Sequence, residues 1–500
     1  MDALLGLDIE ALLAAAAVFL IIWAYMSCGV PANFPPGPPR LPFIGNLLLL
    51  SKDPFHVQKV FAEMKDRYGN VVGLKLGTHR TVILNDLGSI KQALLTKAGI
   101  FAGKPENMHA SAKALSKGGK RRGIIMTNGK VWKDSRKLAL MSMRDFGLGK
   151  KTIEERIIEE AGFTCEEIAK TGDKKPIDNI STTLQLATSN VIASICFGKR
   201  FEYNDREFKT ALKDMEYIME TNLLSSPVNF FPILRFLPMG RWFTKLLLCL
   251  NDLDKFVDRK IEQHRATFDS SNLKDLVDIY LEKEAKGENN EDSFHKDNIR
   301  RIILDLFVAG SETSGTSLRW LILYLLHYPH VQKRCQEETD LVVGSGRPPC
   351  LADQRSMPYV EATLHEMYRH ASVGHITLRF AGETTTLQGY TIPKNTVVFI
   401  NLYAVHMDER YWPQPDKFRP ERWLTPDGAF QNHDAFVPFS LGPRVCIGEN
   451  LARQEIFLFF TCLLQRFTFS VDHSHGIPPL EGKTGITNAP PHFLFIAKQR

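Results

Sequence analysis

The pattern of apolar and polar positions separates an uncharged N-terminal segment from a long, mixed body. Residues 11–30 carry no charged side chain over twenty positions, which is about the length of a helix that crosses a membrane. Acidic residues precede this segment, and the first basic residue of the chain is Arg40. Because basic residues favour the cytosolic side of a span, we predict a membrane anchor over residues 1–30 and a cytosolic body. A buried core helix is the alternative interpretation.

A proline-rich segment joins this anchor to the body. Residues 33–46, NFPPGPPRLPFIGN, contain five prolines. Proline fixes its backbone φ angle and lacks an N–H donor, so the segment favours a stiff, extended conformation over a helix. Its position predicts a hinge over residues 31–46 that sets how the body lies on the membrane. A ligand for a proline-binding module is the alternative.

The periodicity of the body, residues 47–500, is mainly helical. Alternating apolar residues predict a pair of strands at 71–86. Between about 91 and 370, apolar residues instead recur at helical spacing. The longest helical pattern begins at Asp297 and is stopped by Pro329.

Further strands are predicted around a turn in residues 387–406, followed by a proline-rich meander, a cysteine-bearing loop and a final helix. The body shows no internal repeat and no low-complexity linker long enough to divide it. The predicted fold class is therefore mainly α with a minor β portion. It forms a single large domain, preceded by an N-terminal transmembrane helix.

Composition and charge narrow the classes of function only slightly. Hydrophobic residues make up 44% of the chain and charged residues 24%, which is sufficient to bury a large core and excludes disorder. The net charge of +6 is too small and too dispersed to favour nucleic-acid binding, although a local basic face could bind an acidic partner. The eight cysteines form no CxxC pair, which is typical of a reducing compartment.

One cysteine is distinguished by its neighbours. In FSLGPRVCIG, residues 439–448, Cys446 follows Gly442 and precedes Gly448, and such glycines allow close approach of the backbone to a flat partner. A helix is predicted directly after Cys446, and the free N–H groups at a helix start favour a thiolate. This thiolate is either a nucleophile, which needs a nearby base, or a ligand to haem iron, which needs a flat cavity and cations for two propionates.

Candidate cations occur at distant positions. Arg444 precedes the cysteine by two residues, and Arg379 begins a strand-like run. Trp132 and Arg136 share one face of a predicted helix. Each arginine alone is typical of a protein surface, but together with the cysteine loop they favour an anionic cofactor.

The longest predicted helix contains two glycines, Gly310 and Gly315, each costing about 1 kcal/mol relative to alanine. They indicate either a packing groove or a flat ligand lying against the helix. Thr313 lies one turn after Ala309, so its hydroxyl is expected to bond to the Ala309 carbonyl and loosen the helix. With the carboxylate of Glu312, this hydroxyl forms a candidate route for delivering protons to bound oxygen.

A second charged group is predicted further along the chain. Glu366 and Arg369 have i,i+3 spacing in HEMYR, and Arg422 in PDKFRPERW is a candidate third member. A surface ion pair is the alternative and would contribute little stability.

These motifs resemble those of the cytochrome P-450 superfamily of haem-thiolate monooxygenases. The pattern is most similar to the animal microsomal members that metabolise drugs, fatty acids and steroids. FSLGPRVCIG matches the family's Phe-x-x-Gly-x-Arg-x-Cys-x-Gly, and the other motifs occur in the family's order from anchor to last helix. The resemblance therefore implies the cytochrome P-450 fold.

The resemblance also implies a role for each candidate residue. Cys446 would be the thiolate ligand of the iron in haem b (iron protoporphyrin IX), with Phe439 near the sulfur. The propionates would be held by Trp132, Arg136, Arg379 and Arg444. The acid–alcohol pair would be Glu312 and Thr313. A buried structural network, in which loss of one member would cost about 3–5 kcal/mol, would comprise Glu366, Arg369 and Arg422. Substrate-pocket candidates, with core packing as the alternative, are Phe307, Val308, Ala309, Val373 and Ile376.

The chain departs from the family pattern near Arg379. The family usually has a proline directly before this position, where this chain has Leu378, and the loop between Arg369 and Arg379 is one residue shorter than expected. In the family this loop overhangs the haem and shapes the substrate pocket. The departure therefore bears on propionate binding and on pocket shape.

By this resemblance the protein would insert one oxygen atom from O2 into a lipophilic substrate, namely a fatty acid, steroid or xenobiotic, by hydroxylation or epoxidation. The chain has no GxGxxG loop, so electrons from NADPH would arrive through a separate NADPH–cytochrome P-450 reductase, with cytochrome b5 as a second candidate partner. The expected location is the endoplasmic reticulum membrane, with the catalytic domain facing the cytosol. Two alternatives are a haem-thiolate hydroperoxide isomerase and a non-enzymatic haem-binding sensor.

Overall fold

The helical periodicity of the body corresponds to a series of α-helices. A computed structural model of the protein describes residues 13–19, 29–106, 108, 116–117, 120–146, 151–172, 175–221, 226–237, 241–287 and 293–500. The helices of the body are α1 (Val57–Tyr68), α2 (Leu87–Lys91), α3 (Ala98–Phe101), α4 (Gly129–Phe146), α5 (Lys151–Thr171), α6 (Ile180–Phe197), α7 (Arg206–Glu220), α8 (Arg241–Arg265), α9 (Leu276–Ala285), α10 (Lys296–His327), α11 (Pro329–Val342), α12 (Pro358–Ala371), α13 (Leu402–His406) and α14 (Glu449–Arg466).

The β portion is small, as predicted. Its strands are β1 (Val71–Leu76), β2 (His79–Leu84), β3 (Ser116–Lys117), β4 (Lys120–Arg121), β5 (Ile376–Phe380), β6 (Thr385–Leu387), β7 (Tyr390–Ile392), β8 (Val397–Asn401), β9 (Phe467–Val471), β10 (Lys483–Thr484), β11 (Asn488–Ala489) and β12 (Phe495–Gln499). The largest sheet has the order β1-β2-β8-β5, and the other strands form two-stranded pairs. β8 is parallel to β2 and antiparallel to β5, which places Arg379 opposite Val398.

Helix α10 confirms the longest predicted helical pattern. The His295 side chain accepts a hydrogen bond from the Asp297 N–H at 3.2 Å and caps the helix start. The helix ends at His327, and Pro329 begins α11, where its missing N–H leaves no hydrogen bond unmade.

The main hydrophobic core includes α6 and α10, which pack against each other. In the described part of the chain, α6 is the one helix that is long and apolar enough to cross a membrane. Because 89% of it is buried inside the protein, we interpret it as a core helix. Of the predicted N-terminal anchor, residues 13–19 are helical and exposed, and most of the remainder lies outside the described residues.

The proline-rich segment packs against the large sheet. The Gly73 N–H in β1 donates to the Pro36 carbonyl at 2.8 Å. The Asn46 side chain donates to the Pro39 carbonyl at 2.8 Å and accepts from the Lys75 N–H at 2.9 Å. The segment is therefore fixed to the body along its length.

The C-terminal end differs from the prediction, because α14 is not the last element. Strands β9 to β12 follow it, with β9 and β12 paired antiparallel. Two of these strands are only two residues long, and such short segments contain too few positions to show an alternating pattern.

Candidate active site at the cysteine loop

The cysteine loop is positioned by its own backbone and by one glycine. The Cys446 N–H donates to the Phe439 carbonyl at 3.0 Å. Gly442 has a φ of +77°, and a Cβ at this position would lie 2.1 Å from the Leu94 carbonyl oxygen. Gly442 is therefore required by its left-handed backbone conformation and by a contact with a neighbouring segment of the protein, whereas approach to a flat ligand stays a prediction for this residue.

Cys446 faces a cavity between α10 and α14. The cavity has a volume of about 260 Å³. A second lobe of about 310 Å³ shares Cys446, Phe439 and Thr313 with it. The walls come from α4, α6, α10, β5 and α14 and from residues 124–125. A Cβ added at Gly448 would meet nothing closer than the Cys446 Sγ at 3.9 Å, so this glycine leaves open room beside the sulfur.

Cationic side chains from four separate segments converge on this cavity, namely Lys104, Arg136, Arg379 and Arg444. They donate to neutral oxygens. Arg136 donates to the Val445 carbonyl at 2.9 Å, and Lys104 and Arg379 donate to the Leu378 carbonyl at 2.9 and 2.8 Å. The Arg444 guanidinium lies 4.1 Å from the ring centroid of Trp132. Among the described residues, none of the four cations is paired with a carboxylate.

The electrostatics of the cavity indicate an anionic ligand. Burial lowers the pKa of Lys104 well below its usual value, and repulsion from Arg379 and Arg444 lowers it further. Burial also lowers the pKa of Arg379. Holding several buried cations without a counter-ion is costly, and two carboxylates would offset part of this charge. A haem supplies two propionates beside an iron that takes a cysteine ligand, so the residues present fit this group.

Lys104 was missed by sequence reasoning. It lies in the loop FAGKP, which has no periodicity, and it is distant along the chain from the arginines that it joins. The available signal was a basic residue directly after a glycine and before a proline, which is too common to identify a site.

The helix start acts on the Cys446 thiol in the predicted direction, but burial acts against it and is the larger effect. Burial raises the pKa of the thiol, and this outweighs the Gly448 and Glu449 N–H groups and the charge of Arg136, which lower it. The helix start acts in the expected direction but does not produce a thiolate alone. Metal coordination deprotonates a thiol outright, so an iron bound here would supply the thiolate form.

Thr313 lies in the cavity wall and makes the predicted bond. Its Oγ1 donates to the Ala309 carbonyl at 2.8 Å. The expected loosening is not observed, since α10 continues as regular helix through this turn. A Cβ at Gly310 would lie 3.0 Å from the Ile192 Cγ1, and one at Gly315 would lie 3.4 Å from the Thr188 Oγ1. Both glycines thus pack against α6, as the packing-groove interpretation predicts. Gly310 also lines the cavity, so the second interpretation, room for a ligand beside the helix, stays a prediction for this residue.

Glu312 points away from the cavity, towards α6. Its Oε2 accepts from the Gln185 Nε2 at 3.0 Å, and its Oε1 accepts from the Thr316 Oγ1 at 3.1 Å. Burial raises its pKa to about 7. The structure therefore does not bring Glu312 and Thr313 into one hydrogen-bonded pair, because adjacent helix positions point about 100° apart.

A second carboxyl lies in the cavity wall. Glu455 of α14 is 2% exposed, and its Oε1 has no hydrogen-bond partner within the described part of the chain. Burial raises its pKa to about 8, while a hydrogen bond with Ser314 acts in the opposite direction. Glu455 was not among the residues predicted from the sequence. An acidic residue inside the apolar helix ENLARQEIFLFF was the feature that could have indicated it.

The predicted charged network is buried and continuous. Glu366 and Arg369 are both fully buried and meet through bonds of 2.8 and 2.9 Å. Glu366 also accepts from the Arg422 Nε and the Trp423 Nε1, each at 3.0 Å. Burial raises the pKa of Glu366, but the two arginines outweigh this and hold it below its usual range. The surface-pair alternative is therefore wrong.

Of the pocket candidates, Ala309 lines the first lobe, and Val373 and Ile376 line the second. Phe307 does not face the cavity. Its side chain is wholly buried, and its ring stacks on Phe256 with centroids 6.0 Å apart, so it belongs to the core. Val308 packs at the edge of the same core and is not part of the cavity wall.

A helical fold that holds one cysteine and a group of unbalanced cations in the same cavity is the arrangement of a haem-thiolate enzyme. Comparison with known families agrees, since the sequence profile of Cytochrome P450 matches residues 35–497. The chain belongs to the cytochrome P450 family and is a P450 monooxygenase, with a cysteine-ligated haem, a redox partner, O2 and an organic substrate.

Similar proteins are found in several mammals, and the likeness spans nearly the whole length of each. The chain is 38% identical to cytochrome P450 2J1 of Oryctolagus cuniculus, over 97% of this chain and 95% of the relative. It is 39% identical to cytochrome P450 2J2 of Homo sapiens, over 96% and 94%. It is 38% identical to cytochrome P450 2B2 of Rattus norvegicus, over 94% of each chain.

Proposed function

We propose that this monooxygenase oxygenates a lipophilic substrate, a fatty acid, steroid or xenobiotic, by hydroxylation or epoxidation. The observation that carries the proposal is the cavity in which Cys446, the four cations and Thr313 meet beside largely apolar walls. Residues 124–125, both isoleucine, and Ala309 supply apolar surface to the cavity that Thr313 also lines. An apolar cavity with a few convergent polar groups selects a lipophilic ligand and fixes its orientation.

In this proposal Cys446 is the ligand of haem b, and Phe439 packs near its sulfur. The propionates are held by Lys104, Trp132, Arg136, Arg379 and Arg444. The bound haem supplies the activation of O2, and its thiolate ligand favours cleavage of the O–O bond. Leu378 presents its carbonyl to two of these cations, so the residue that replaces the usual proline still contributes to their positions.

The chain's own contribution to the chemistry is proton delivery. The Thr313 hydroxyl is held by the Ala309 carbonyl at the cavity wall, where it can pass a proton to a ligand. Glu312, with a pKa of about 7, can exchange protons near neutral pH, and a side-chain rotation would turn it from α6 towards the cavity. Glu455 offers a second acid on the α14 side.

We infer that electrons come from NADPH through NADPH–cytochrome P-450 reductase, with cytochrome b5 as a second donor. Helix α4, which carries Trp132 and Arg136 into the cavity, also carries exposed basic residues at its surface, including Lys133 and Lys137. A basic surface close to the haem supports docking of an acidic redox partner.

We also infer an endoplasmic reticulum location with the catalytic domain facing the cytosol. Support comes from exposed apolar side chains near the proline-rich segment, since Phe43, Ile233 and Phe236 are 41%, 72% and 74% exposed. The turn at Gly77 contacts both the proline-rich segment and the segment 226–237, which carries Ile233 and Phe236. The Gly77 N–H donates to the Ile44 carbonyl at 3.1 Å, and Gly77 lies against Phe230 and Phe231. An apolar surface of this kind beside a predicted anchor suits contact with a membrane.

The test is turnover of the membrane-reconstituted protein with reductase, NADPH and heavy-isotope O2 on a panel of fatty acids, steroids and xenobiotics. Product with one heavy oxygen atom is expected and identifies the substrate class. Consumption of a hydroperoxide without NADPH and without label would instead favour the isomerase. Haem binding with no turnover on any substrate would favour the sensor.

A further inference from the structure

The helix that ends with His406 connects the buried charged network to the cysteine loop. His406 is fully buried at the end of α13. Its backbone carbonyl accepts from the Arg369 Nη1 at 2.7 Å. Its imidazole makes two further bonds, with the Ser372 Oγ at 2.9 Å on Nδ1 and with the Val437 N–H at 3.2 Å on Nε2.

These partners fix a single tautomer of the imidazole. The Val437 N–H can only donate, so the His406 Nε2 must accept, and the ring proton must lie on Nδ1. The Nδ1–H then donates to Ser372, whose hydroxyl in turn donates to the Arg369 carbonyl at 2.9 Å. Burial lowers the pKa of His406 to about 3, helped by the charge of Arg369, so the ring stays neutral.

The Val437 end of this chain of hydrogen bonds leads to the cysteine. The Val437 carbonyl accepts from the Ser440 N–H at 3.0 Å, which closes the turn that carries Phe439. The Phe439 carbonyl then accepts the Cys446 N–H at 3.0 Å. His406 therefore holds the first residue of the turn to which the cysteine backbone is bonded.

We propose that His406 is a positioning residue for Cys446, and that the acceptor Nε2, which binds the Val437 N–H, is the atom through which it sets the place of the thiolate. The inference rests on the proposed role of Cys446 as haem ligand. Without this acceptor the turn at residues 437–440 loses its link to α13, and through it to Arg369 of α12, so the sulfur would be held less firmly at the iron.

Two substitutions separate the two ends of the imidazole. In His406→Gln, the side-chain carbonyl can occupy the place of Nε2 and still accept from Val437, while the bond to Ser372 is lost. In His406→Asn, the amide can occupy the place of Nδ1 and still donate to Ser372, while the Val437 N–H is left unpaired. Ser372→Ala removes the Ser372 bond alone and serves as a further control.

The readout is the fraction of holoprotein whose reduced carbon-monoxide complex shows the absorption band of thiolate ligation, together with the reduction potential. We expect His406→Asn to lower the ratio of thiolate-ligated to unligated protein about tenfold. The free energy lost when a buried N–H donor is left unpaired corresponds to a tenfold change or more. His406→Gln and Ser372→Ala should retain the wild-type ratio and potential. Unchanged ligation in His406→Asn, with only a lower melting temperature, would overturn the proposal.

Loss of the thiolate band in His406→Gln would also overturn the proposal, because packing of the ring would then matter more than the acceptor. If His406→Asn takes up no haem, the result for His406→Gln decides whether the acceptor atom or the packing of the ring positions the cysteine. Cys446→Ser is measured in parallel. If it kept the thiolate band, the haem would be bound elsewhere and the proposed function would fail, which is distinct from a failure at His406 alone.

Discussion

The Glu312 carboxylate accepts a hydrogen bond from the Thr316 hydroxyl, with 3.1 Å between the two oxygens, one turn further along α10. Together with Gln185, this bond holds the carboxylate towards α6 and away from Thr313. In the proposed function Glu312 is a proton donor, and a donor turned aside in this way must exchange its protons by moving. Its affinity for the proton therefore depends on partners that never touch the substrate.

The Glu312–Thr316 bond yields a prediction about pH. Burial raises the pKa of Glu312, and the Thr316 bond and Arg319 lower it, so that it lies at about 7. Thr316→Val removes the hydroxyl at nearly constant shape and should raise this pKa further. A donor is active when protonated, so product formation should persist to higher pH in the variant. Glu216 and Glu220 also raise the pKa of Glu312, and their contribution is the same in the variant and the wild type.

The measurement is the rate of product formation across neutral pH. Glu312→Gln is the control, since it should abolish this pH dependence and lower the rate by about 10²–10⁴-fold, the usual contribution of a general acid. A profile for Thr316→Val that coincides with the wild type would show that Glu312 does not supply the proton.

The two glycines of α10 should respond oppositely to alanine. A Cβ at Gly310 lies 3.0 Å from the Ile192 Cγ1, so Gly310→Ala overpacks the contact with α6 and should lower the free energy of unfolding by about 1–3 kcal/mol. Gly315→Ala meets its nearest atom at 3.4 Å, so it should be neutral or stabilise by up to about 1 kcal/mol through helix propensity.

Denaturant unfolding of both glycine variants checks this prediction. Gly310→Ala should cost less in an Ile192→Ala background, where the side chain that it meets is absent. Loss of haem in Gly315→Ala without loss of stability would instead indicate that this glycine faces the ligand.

Lys104 should slow the release of haem. Its Nζ donates to the Leu378 carbonyl and lies beside Arg379 and Arg444, where a propionate would be its ionic partner. Lys104→Met should speed haem dissociation about tenfold, since a hydrogen bond to a charged group contributes about 1.5–3 kcal/mol. Lys104→Arg should keep the wild-type rate.

Transfer of haem to a scavenging apoprotein measures this rate. Lys133→Met is the matched control. Lys133 is exposed on α4, so this substitution removes the same charge at a position outside the cavity wall. Equal rates for the two methionine variants would place Lys104 outside the propionate site.

Glu455 should make the protein less stable as the pH rises. Burial raises its folded pKa to about 8, above the ordinary value of 4.5. The folded protein then binds the proton more tightly than the unfolded chain, so this contribution to stability is fully present below the ordinary pKa. It is lost as the pH rises to about 8, by up to about 1.4 kcal/mol per pH unit.

Glu455→Gln cannot ionise, so the stability of the variant relative to the wild type should increase between pH 5 and pH 8, roughly the range over which the two pKa values differ. Melting temperatures at several pH values test this. The ionisation of Glu312 acts in the same direction in both proteins and cancels in the comparison. A difference that stays constant with pH would mean that Glu455 is already ionised in the folded protein.

The sequence by itself determined the fold class, the bounds of α10 and the importance of Cys446. These features depend on local information, namely the helical spacing of apolar residues, a stop at Pro329, and a short motif in which glycines and an arginine flank one thiol. It also proposed Arg136, Arg379 and Arg444, through the cysteine motif and the family resemblance and not through a pattern of their own, and the structure brings all three to one cavity.

The tertiary structure alone decided which groups face each other. Lys104 joins the arginines only because the loop that carries it folds against β5, and Gly310 is needed because Ile192 of another helix lies against it. The direction of Glu312 and the net rise in the Cys446 pKa follow from partners and burial contributed by distant segments. Local pattern fixes which chemical groups a chain carries, whereas their neighbours, and hence their charge and orientation, depend on contacts between residues far apart in sequence.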